Sequence, residues 1–274
     1  MMNLHHSAFC LQICAKAQAN AKLFYNCPMT TDTLPTYKKS IRTILAFGVH
    51  LFTASGAVWG FLALIAIFNH EWRQAIFWMI LAIFVDGFDG MLARWADVKT
   101  YASSVDGALL DNILDYFNYV VVPALFLVEA EGILPPQFRL AGAAAILLTS
   151  AYQFTQVDAK TDESNEYFFK GFPSYWNVVA MYMLVMRLNP WLNLAFLAAL
   201  NILVFVPVKW VYPSRSVFAR RLTLILSYLY GIIGVWGVMQ YPNVPQWVVW
   251  VSLIYVGYYA LLSLWPKKTL QPAI

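Results

Sequence analysis

Residues 85–123 decide how this chain folds, and they read VDGFDGMLARWADVKTYASSVDGALLDNILDYFNYVVVP. The stretch begins near the end of one strongly apolar segment and ends inside the next. It contains six aspartates, although the whole chain of 274 residues has only 14 acidic residues. These six are Asp86, Asp89, Asp97, Asp106, Asp111 and Asp115. Such a concentration of carboxylates in an apolar chain indicates a specific chemical role.

The composition of the chain places it in a membrane. Hydrophobic residues make up 61% of it, charged residues only 12%, and the mean hydropathy is +0.59. Soluble domains carry about 25% charged residues, which excludes a soluble globular enzyme. Most apolar segments here are long enough to cross a hydrocarbon core of about 30 Å as helices. Eight of them lie near residues 43–68, 74–93, 109–128, 139–157, 174–188, 191–211, 222–240 and 246–265. We therefore predict an all-α integral membrane protein with about eight transmembrane helices.

The distribution of basic residues predicts the orientation, because Lys and Arg concentrate in cytoplasmic loops. With the N-terminus inside, only Arg73, Arg139 and Arg187 face outward. The basic residues that then face the cytoplasm are Lys38, Lys39, Arg42, Arg94, Lys99, Lys160, Lys170, Lys209, Arg215, Arg220, Arg221, Lys267 and Lys268. We predict one membrane domain at residues 41–265 between cytoplasmic tails at residues 1–40 and 266–274. The net charge of +4 requires no nucleic-acid partner, since inner basic residues also suit an anionic leaflet.

The first 28 residues differ from the rest and contain all three cysteines, Cys10, Cys14 and Cys27. No Lys or Arg precedes their short apolar run, which argues against a signal peptide. Cys10 and Cys14 have no matching second pair, which argues against a metal site there. We expect residues 1–28 to be an artefact of the assigned gene start, with Met29 as the native start.

The aspartates at the end of the second apolar segment share one helix face. Asp86 and Asp89 are three residues apart, and Gly90 and Ala93 follow at four and seven residues from Asp86. Residues three and four apart lie on the same side of a helix. This first stripe therefore combines two carboxylates with two very small residues.

A second stripe begins the third apolar segment, where Gly107, Asp111 and Asp115 are spaced four apart. The residues between the stripes are polar enough to form a cytoplasmic connection. Both stripes should then lie at the same depth in the membrane and face each other.

Four ionised carboxylates so close together would repel strongly, and ionised acids in a membrane are costly. Protonation is one remedy and cation binding is the other. Mg²⁺ in proteins binds a few carboxylates together with phosphate oxygens. Two divalent ions, Mn²⁺ or Mg²⁺, would neutralise four aspartates and could receive a pyrophosphate. Arg94 adds a planar fork of donors for phosphate oxygens.

A structural explanation competes with this one, in which the acids only solvate helix ends or pair with Arg94, Lys99 or backbone groups. For the two stripes we favour the chemical interpretation, because four aspartates and two glycines repeat at regular helical spacing. Asp97 and Asp106 lie off both stripes, and for them we favour the structural explanation.

The two stripes resemble the signature of the CDP-alcohol phosphotransferase family, Asp-x-x-Asp-Gly-x-x-Ala-Arg followed by Gly-x-x-x-Asp-x-x-x-Asp. Every position is filled here, by Asp86, Asp89, Gly90, Ala93, Arg94, Gly107, Asp111 and Asp115. The gap from Arg94 to Gly107 holds twelve residues, longer than is common in the family, and is similar to the bacterial phosphatidylcholine synthase branch. The segment Thr161–Asn177, TDESNEYFFKGFPSYWN, also resembles that branch.

The resemblance implies a metal-dependent enzyme of the bacterial inner membrane whose active site is cytoplasmic. Members of that branch transfer the phosphatidyl group of CDP-diacylglycerol to choline and release CMP. The implied metal ligands are Asp86, Asp89, Asp111 and Asp115, and Asp115 resembles the general base. The implied nucleotide- and phosphate-binding positions are Asp86, Gly90, Ala93, Arg94 and Gly107. The family is commonly dimeric, so we expect a homodimer.

Choline recognition requires residues of another kind. A quaternary ammonium prefers aromatic faces and carboxylates, and the segment after the fourth apolar segment offers both. We select Glu166 and Tyr167 as choline-binding candidates, although 17% of the chain is aromatic and membrane interfaces also attract aromatic side chains.

Other functions remain as alternatives. Serine, glycerol phosphate or inositol phosphate could replace choline as the acceptor, but phosphorylated acceptors would favour a local cluster of Arg and Lys. A divalent-cation transporter would instead place its carboxylates near the midplane in broken helices. Separately, Gly56 and Gly60 form a small-x-x-x-small pattern that favours close packing within the chain over a dimer contact.

Overall fold

The structure is a computed structural model that describes residues 36–156, 160–163, 166–211 and 220–264. Helices dominate this part of the chain. The α-helices are α1 (Thr36–Phe68), α2 (Trp72–Trp95), α3 (Val98–Tyr101), α4 (Gly107–Tyr116), α5 (Val122–Glu129), α6 (Arg139–Thr155), α7 (Trp176–Met186), α8 (Pro190–Phe205), α9 (Arg220–Met239) and α10 (Gln246–Leu264). A π-helical segment, Phe117–Val121, joins α4 to α5, and a short 3₁₀ helix, Pro136–Phe138, precedes α6. Each of the eight predicted apolar segments is therefore helical over most of its length.

Among the described residues, five helical stretches are long and apolar enough to cross a membrane. They are Tyr37–Phe68, Trp72–Trp95, Gly107–Glu129, Arg221–Met239 and Gln246–Ser263. Two further apolar helices, α7 and α8, have 11 and 16 residues. At 1.5 Å per residue α7 is about 16 Å long, shorter than the hydrocarbon core. Its side chains Trp176, Asn177 and Ala180 are buried, so protein shields the backbone of this short helix from lipid. The predicted helical membrane fold is confirmed, apart from three short strands.

Three short strands form a small antiparallel sheet that the sequence analysis did not predict. They are β1 (Lys160–Glu163), β2 (Glu166–Lys170) and β3 (Lys209–Val211), in the order β1-β2-β3. The register pairs Asp162 with Tyr167 across β1 and β2, and Phe169 with Trp210 across β2 and β3. Alternation of charged and aromatic residues in four- or five-residue runs is too short a pattern to reveal a strand. The sheet joins the end of α6 to the chain that follows α8.

The core lies where α1, α2, the α4–α5 helix and α7 meet, and α1 packs along α2 more extensively than any other pair of described elements does. Its largest fully buried side chains include Trp176, Phe126, Ile67 and Ile76. Apolar side chains that remain exposed on α1, α9 and α10 are suited to contact with lipid.

The helix from Gly107 to Glu129 is continuous but irregular in its middle. Pro123 lacks a backbone N–H and cannot close a regular turn, and the π-helical segment Phe117–Val121 lies just before it. Three consecutive residues of that segment, Asn118, Tyr119 and Val120, are buried. Widened π turns are frequent at functional sites, and this one turns both Asn118 and Tyr119 toward the protein interior.

The two glycines of α1 form a notch for this π-helical segment. A Cβ on Gly56 would lie 3.3 Å from Nδ2 of Asn118, and a Cβ on Gly60 would lie 2.6 Å from Cε1 of Phe117 and collide with Oδ1 of Asn118. Close packing within the chain, which the sequence analysis favoured for Gly56 and Gly60, is confirmed.

We expect Gly60→Ala to lower the thermal midpoint of the detergent-purified protein. The added methyl must displace Asn118 and Phe117, and overpacking of this kind costs about 1–3 kcal/mol. Gly48→Ala is the matched control on the same helix, because a Cβ there would meet nothing within 4 Å. Fluorescence-detected size-exclusion chromatography after heating measures both variants. Equal midpoints for Gly60→Ala and wild type would contradict the notch.

Candidate active site

The first carboxylate stripe lies in the last third of α2. Asp86 is half-buried and Asp89 is 8% exposed, on the inward face of the helix. The helix continues past them to Trp95, where the N–H of Ala96 donates to the Leu92 carbonyl and the N–H of Asp97 donates to the Arg94 carbonyl. Both carboxylates are therefore held on regular helix rather than on a mobile end.

The second stripe lies at the start of α4. The Asp106 side chain caps this helix by accepting hydrogen bonds from the N–H groups of Ala108 and Leu109, at 3.1 and 3.0 Å. Such a cap fixes the first turn, and it explains Asp106 by the structural role that the sequence analysis favoured. Asp111 and Asp115 follow on the second and third turns, and both are half-buried.

The connection between the stripes is not only a loop. It contains α3, which starts after Asp97 in a left-handed conformation with φ of 49°. Tyr101 and Ala102 are buried against Ala46 of α1, and the Tyr101 hydroxyl accepts a hydrogen bond of 3.3 Å from Nη1 of Arg42. This contact fastens the connection to α1 and so fixes where α4 begins.

The two stripes face each other. Asp86, Asp89 and Asp111 each offer a carboxylate oxygen, and these oxygens all lie within 4.8 Å of one another. Asp115 lines the same pocket. Three hard oxygen donors this close together match what Mg²⁺ or Mn²⁺ requires. The cluster could therefore hold a divalent metal ion.

The pocket combines these acids with small and apolar residues from three helices. Thr53 and Gly56 of α1, Ala82 and Val85 of α2, and Leu114 beside Asp115 complete most of the wall. Small side chains leave room above the carboxylates, and the Thr53 hydroxyl is held by a 3.2 Å hydrogen bond to the Val49 carbonyl. The arrangement suits a polar ligand that approaches the helices closely.

Two polar residues outside the family signature belong to this site. Asn118 lines the pocket, and its Oδ1 is buried with no hydrogen-bond partner among the described residues. Tyr119 is 8% exposed and donates a 2.7 Å hydrogen bond from its hydroxyl to Oδ2 of Asp86. Tyr119 stands four residues after Asp115 and so continues the second stripe. That spacing was the available signal, but tyrosine also suits membrane interfaces.

The remaining motif residues surround the carboxylates. Gly90 and Ala93 are half-buried, and Arg94 is exposed at the end of α2. Nη1 of Arg94 lies 3.4 Å from the position that a Cβ on Gly90 would occupy. The guanidinium therefore lies back along its own helix, over Gly90 and toward the acidic cluster.

His50 is a third residue that the sequence analysis did not select. It lies on α1, is 8% exposed, and its Nε2 has no hydrogen-bond partner in the described part of the chain. Its ring covers Gly107, because a Cβ on Gly107 would lie 2.9 Å from Cε1 of His50. A lone histidine in an apolar helix carries no spacing signal, so only the structure connects it with the motif.

We expect Gly107→Ala to raise the Kd for Mn²⁺ at the carboxylate cluster several-fold, because the new methyl pushes the first turn of α4 off His50. The double variant Gly107→Ala, His50→Ala should have a smaller increase in Kd than the product of the increases in the two single variants, since the smaller side chain makes room. Electron paramagnetic resonance of free Mn²⁺ with the purified protein measures this. Gly87→Ala is the control, with open space around its Cβ. Strictly multiplicative effects would contradict the proposed steric contact.

The predicted choline segment adjoins the site through its later residues. Glu166 and Tyr167 lie in β2, paired in register with Glu163 and Asp162, but their side chains lie outside the described part of the structure. Further along, the ring of Tyr175 lies 5.9 Å from the ring of Tyr119, at an interplanar angle of 58°. Through Tyr175 the segment Thr161–Asn177 contacts Tyr119, which in turn contacts Asp86.

Comparison with known proteins agrees with this geometry. Residues 49–258 match the family model described as CDP-alcohol phosphatidyltransferase. A protein of Legionella pneumophila named phosphatidylcholine synthase is 43% identical over 224 residues, which is 80% of this chain and 87% of that protein.

More distant relatives bear the same name. The phosphatidylcholine synthase of Mesorhizobium japonicum is 37% identical, over 77% of this chain and 78% of its own length. That of Borreliella burgdorferi is 34% identical, over 83% of this chain and 96% of its own length. The similarity therefore extends over most of each protein and includes both carboxylate stripes.

Proposed function

The chain belongs to the CDP-alcohol phosphatidyltransferase family, and from that premise we propose that it catalyses the phosphatidylcholine synthase reaction. In this reaction the phosphatidyl group of CDP-diacylglycerol passes to the hydroxyl of free choline, and CMP is released. The observation that carries the proposal is the convergence of the Asp86, Asp89 and Asp111 carboxylates within 4.8 Å of one another. The names of the relatives fit choline, and not the alternative acceptors or a cation transporter.

We assign Asp86, Asp89, Asp111 and Asp115 as the ligands of two divalent cations, Mn²⁺ or Mg²⁺. Two such ions balance the formal charge of four carboxylates. When bound, they supply electrostatic stabilisation to the pyrophosphate and to the departing CMP. The shared pocket of the four aspartates supports this assignment.

Asp115 is assigned as the general base. Its carboxylate accepts the proton of the choline hydroxyl, and the choline oxygen forms a bond to the lipid-side phosphorus. The bond from that phosphorus to the CMP oxygen breaks, and its electron pair leaves with CMP. A carboxylate is a weak base toward an alcohol, so it must be oriented and partly shielded from water. Asp115 meets this requirement, since it is half-buried beside Leu114 and Asn118.

The nucleotide and phosphates are assigned to the residues that flank the cluster. The guanidinium of Arg94 donates to phosphate oxygens, and the small residues allow the ligand to approach both helices closely. This set comprises Asp86, Gly90, Ala93, Arg94 and Gly107. Its placement at adjacent ends of α2 and α4 supports one continuous subsite.

Choline is assigned to Glu166 and Tyr167, a carboxylate and an aromatic face suited to a quaternary ammonium. We expect Glu166→Gln to raise the KM for choline several-fold while the KM for the nucleotide lipid stays within twofold of wild type. Initial rates at varied choline concentration measure this effect. An unchanged choline KM would show that the assignment of Glu166 is wrong.

We place the protein in the bacterial inner membrane with its termini and active site on the cytoplasmic side, as a homodimer. Support for the membrane comes from the five helices long enough to span it. Support for the orientation comes from the excess of Lys and Arg in the loops on the side of the aspartates. CDP-diacylglycerol then presents its polar head at the membrane surface where both carboxylate stripes lie.

The deciding experiment uses membranes from a host that lacks phosphatidylcholine. Labelled choline is added with and without CDP-diacylglycerol, and with Mn²⁺, Mg²⁺ or a chelator. Label should enter lipid only when both the nucleotide lipid and the metal are present, and one CMP should be released for each labelled lipid. Labelled serine, glycerol phosphate and inositol phosphate are run in parallel. Incorporation of one of these instead of choline would overturn the choice of acceptor but preserve the reaction class.

A further inference from the structure

We propose that Tyr119 is a positioning residue of the metal-binding carboxylate cluster, which it orders by holding Asp86 in its ligand orientation. The inference rests on the proposed function, since it takes the aspartates as metal ligands. Tyr119 lies outside the family signature that the sequence analysis used, and the structure alone connects it with Asp86.

The contact is a strong and specific one. The Tyr119 hydroxyl donates to Oδ2 of Asp86 at 2.7 Å, within the usual range for O–H···O hydrogen bonds. A carboxylate has two oxygens and about four lone-pair sites, so one such bond fixes the group and leaves acceptor sites free. Asp86 can therefore still serve the cluster that it forms with Asp89 and Asp111.

The neutrality of the donor matters. A lysine or arginine at this place would also orient Asp86, but its positive charge would repel a divalent cation. A phenol orients the carboxylate and leaves its negative charge available to the metal. Partners that orient ligands in this way change metal affinity by about 10–100-fold in known metal sites.

The Tyr119 side chain is itself held in place by its burial and by a second aromatic ring. It lies in the π-helical segment and is only 8% exposed. Its ring contacts that of Tyr175, at 5.9 Å between centroids. Tyr175 directly precedes α7, so its position depends on how the chain enters that helix.

Three buried polar residues, Ser150, Gln153 and Ser174, which we call the clasp, determine how the chain enters α7. Ser174 is fully buried, with a φ of 54°, and its hydroxyl hydrogen-bonds with Ser150, at 3.0 Å, and with Gln153, both on α6. Nε1 of Trp176 donates to the Ser150 hydroxyl at 2.8 Å. A left-handed residue other than glycine persists only where its surroundings fix it. The clasp therefore holds Tyr175 against Tyr119, and Tyr119 holds Asp86.

The structure supplies a matched control for this inference. Tyr116 is on the same helix, three residues earlier, and its hydroxyl donates a 3.0 Å hydrogen bond to the carbonyl of Leu147. Tyr116→Phe and Tyr119→Phe each remove one hydroxyl and one hydrogen bond. Only the second change affects a carboxylate of the cluster.

The test measures binding of Mn²⁺ to the purified full-length protein in detergent, by electron paramagnetic resonance of free Mn²⁺, with no lipid or choline present. We expect Tyr119→Phe to raise the Kd for Mn²⁺ tenfold or more, and Tyr116→Phe to leave it within twofold of wild type. Asp86→Asn is measured alongside and should also weaken binding. Size-exclusion profiles confirm that each variant is folded.

The outcomes distinguish a failure of the proposed metal site from a failure of the proposed role of Tyr119. If wild type does not bind Mn²⁺, or if Asp86→Asn binds it as well as wild type does, the metal site itself is wrong. If Asp86→Asn weakens binding and Tyr119→Phe does not, the positioning role alone is overturned. Should Tyr119→Phe not fold, Tyr119→His replaces it, since the shorter imidazole keeps a polar ring but does not reach Asp86. An unchanged Kd in that variant overturns the role equally.

Discussion

Asp115→Asn is expected to lower the turnover number at saturating choline and CDP-diacylglycerol by about 10²–10⁴-fold, the range that general-base catalysis typically contributes. Asparagine has nearly the same shape, so the pocket and its lining stay intact. Its amide oxygen cannot take up the choline proton at neutral pH. Initial rates of labelled choline incorporation by purified protein measure the loss.

Asp106→Asn is the matched control for this prediction. It makes the same chemical change five residues before Asp111 on the same chain segment, at a residue that caps α4. Asparagine caps helices about as well as aspartate does, so the rate should stay within twofold of wild type. A turnover number for Asp115→Asn within tenfold of wild type would remove Asp115 from the role of base.

Much of this architecture follows from elementary properties of the sequence. The eight apolar segments are helical because a backbone in lipid must satisfy its hydrogen bonds internally. The aspartates meet because spacings of three and four keep Asp86 with Asp89, and Asp111 with Asp115, on single helix faces. The polar stretch between the stripes is a short connection, so both stripes lie at the same end of the bundle. These features depend on local, periodic patterns, and they can therefore be predicted from the sequence.

The parts that escaped prediction depend on contacts between distant residues. Tyr119 bonds to Asp86 from 33 positions away, and His50 covers Gly107 from another helix. The π-helical segment buries three consecutive residues, Asn118, Tyr119 and Val120. A regular α-helix would place fewer consecutive side chains on its buried face. The clasp of Ser150, Gln153 and Ser174 joins small polar residues that individually suggest nothing. Pairings of this kind arise from packing, which has no period along the chain.

Asp89→Asn is expected to abolish the response of the protein to metal and yet stabilise the metal-free protein. Asp89 is 8% exposed, and one of its carboxylate oxygens lies within 4.8 Å of a carboxylate oxygen of Asp86 and of Asp111. At such a separation and an effective dielectric constant of 20, each pair of ionised carboxylates repels by about 3 kcal/mol. Removing the central charge relieves repulsion when a chelator is present. The thermal midpoint of Asp89→Asn in chelator should therefore exceed that of wild type.

The same substitution removes the increase in thermal midpoint that metal binding gives to the wild-type protein. A ligand present at 100 times its Kd stabilises the folded state by about 2.7 kcal/mol, so Mn²⁺ should raise the wild-type midpoint clearly and that of Asp89→Asn hardly at all. Activity should fall by at least 10²-fold, since the developing charge on CMP is no longer balanced. Asp97→Asn, at an aspartate off both stripes, is the control and should respond to Mn²⁺ as wild type does. An Asp89→Asn protein that melts lower than wild type in chelator would show that this carboxylate serves the fold rather than the metal.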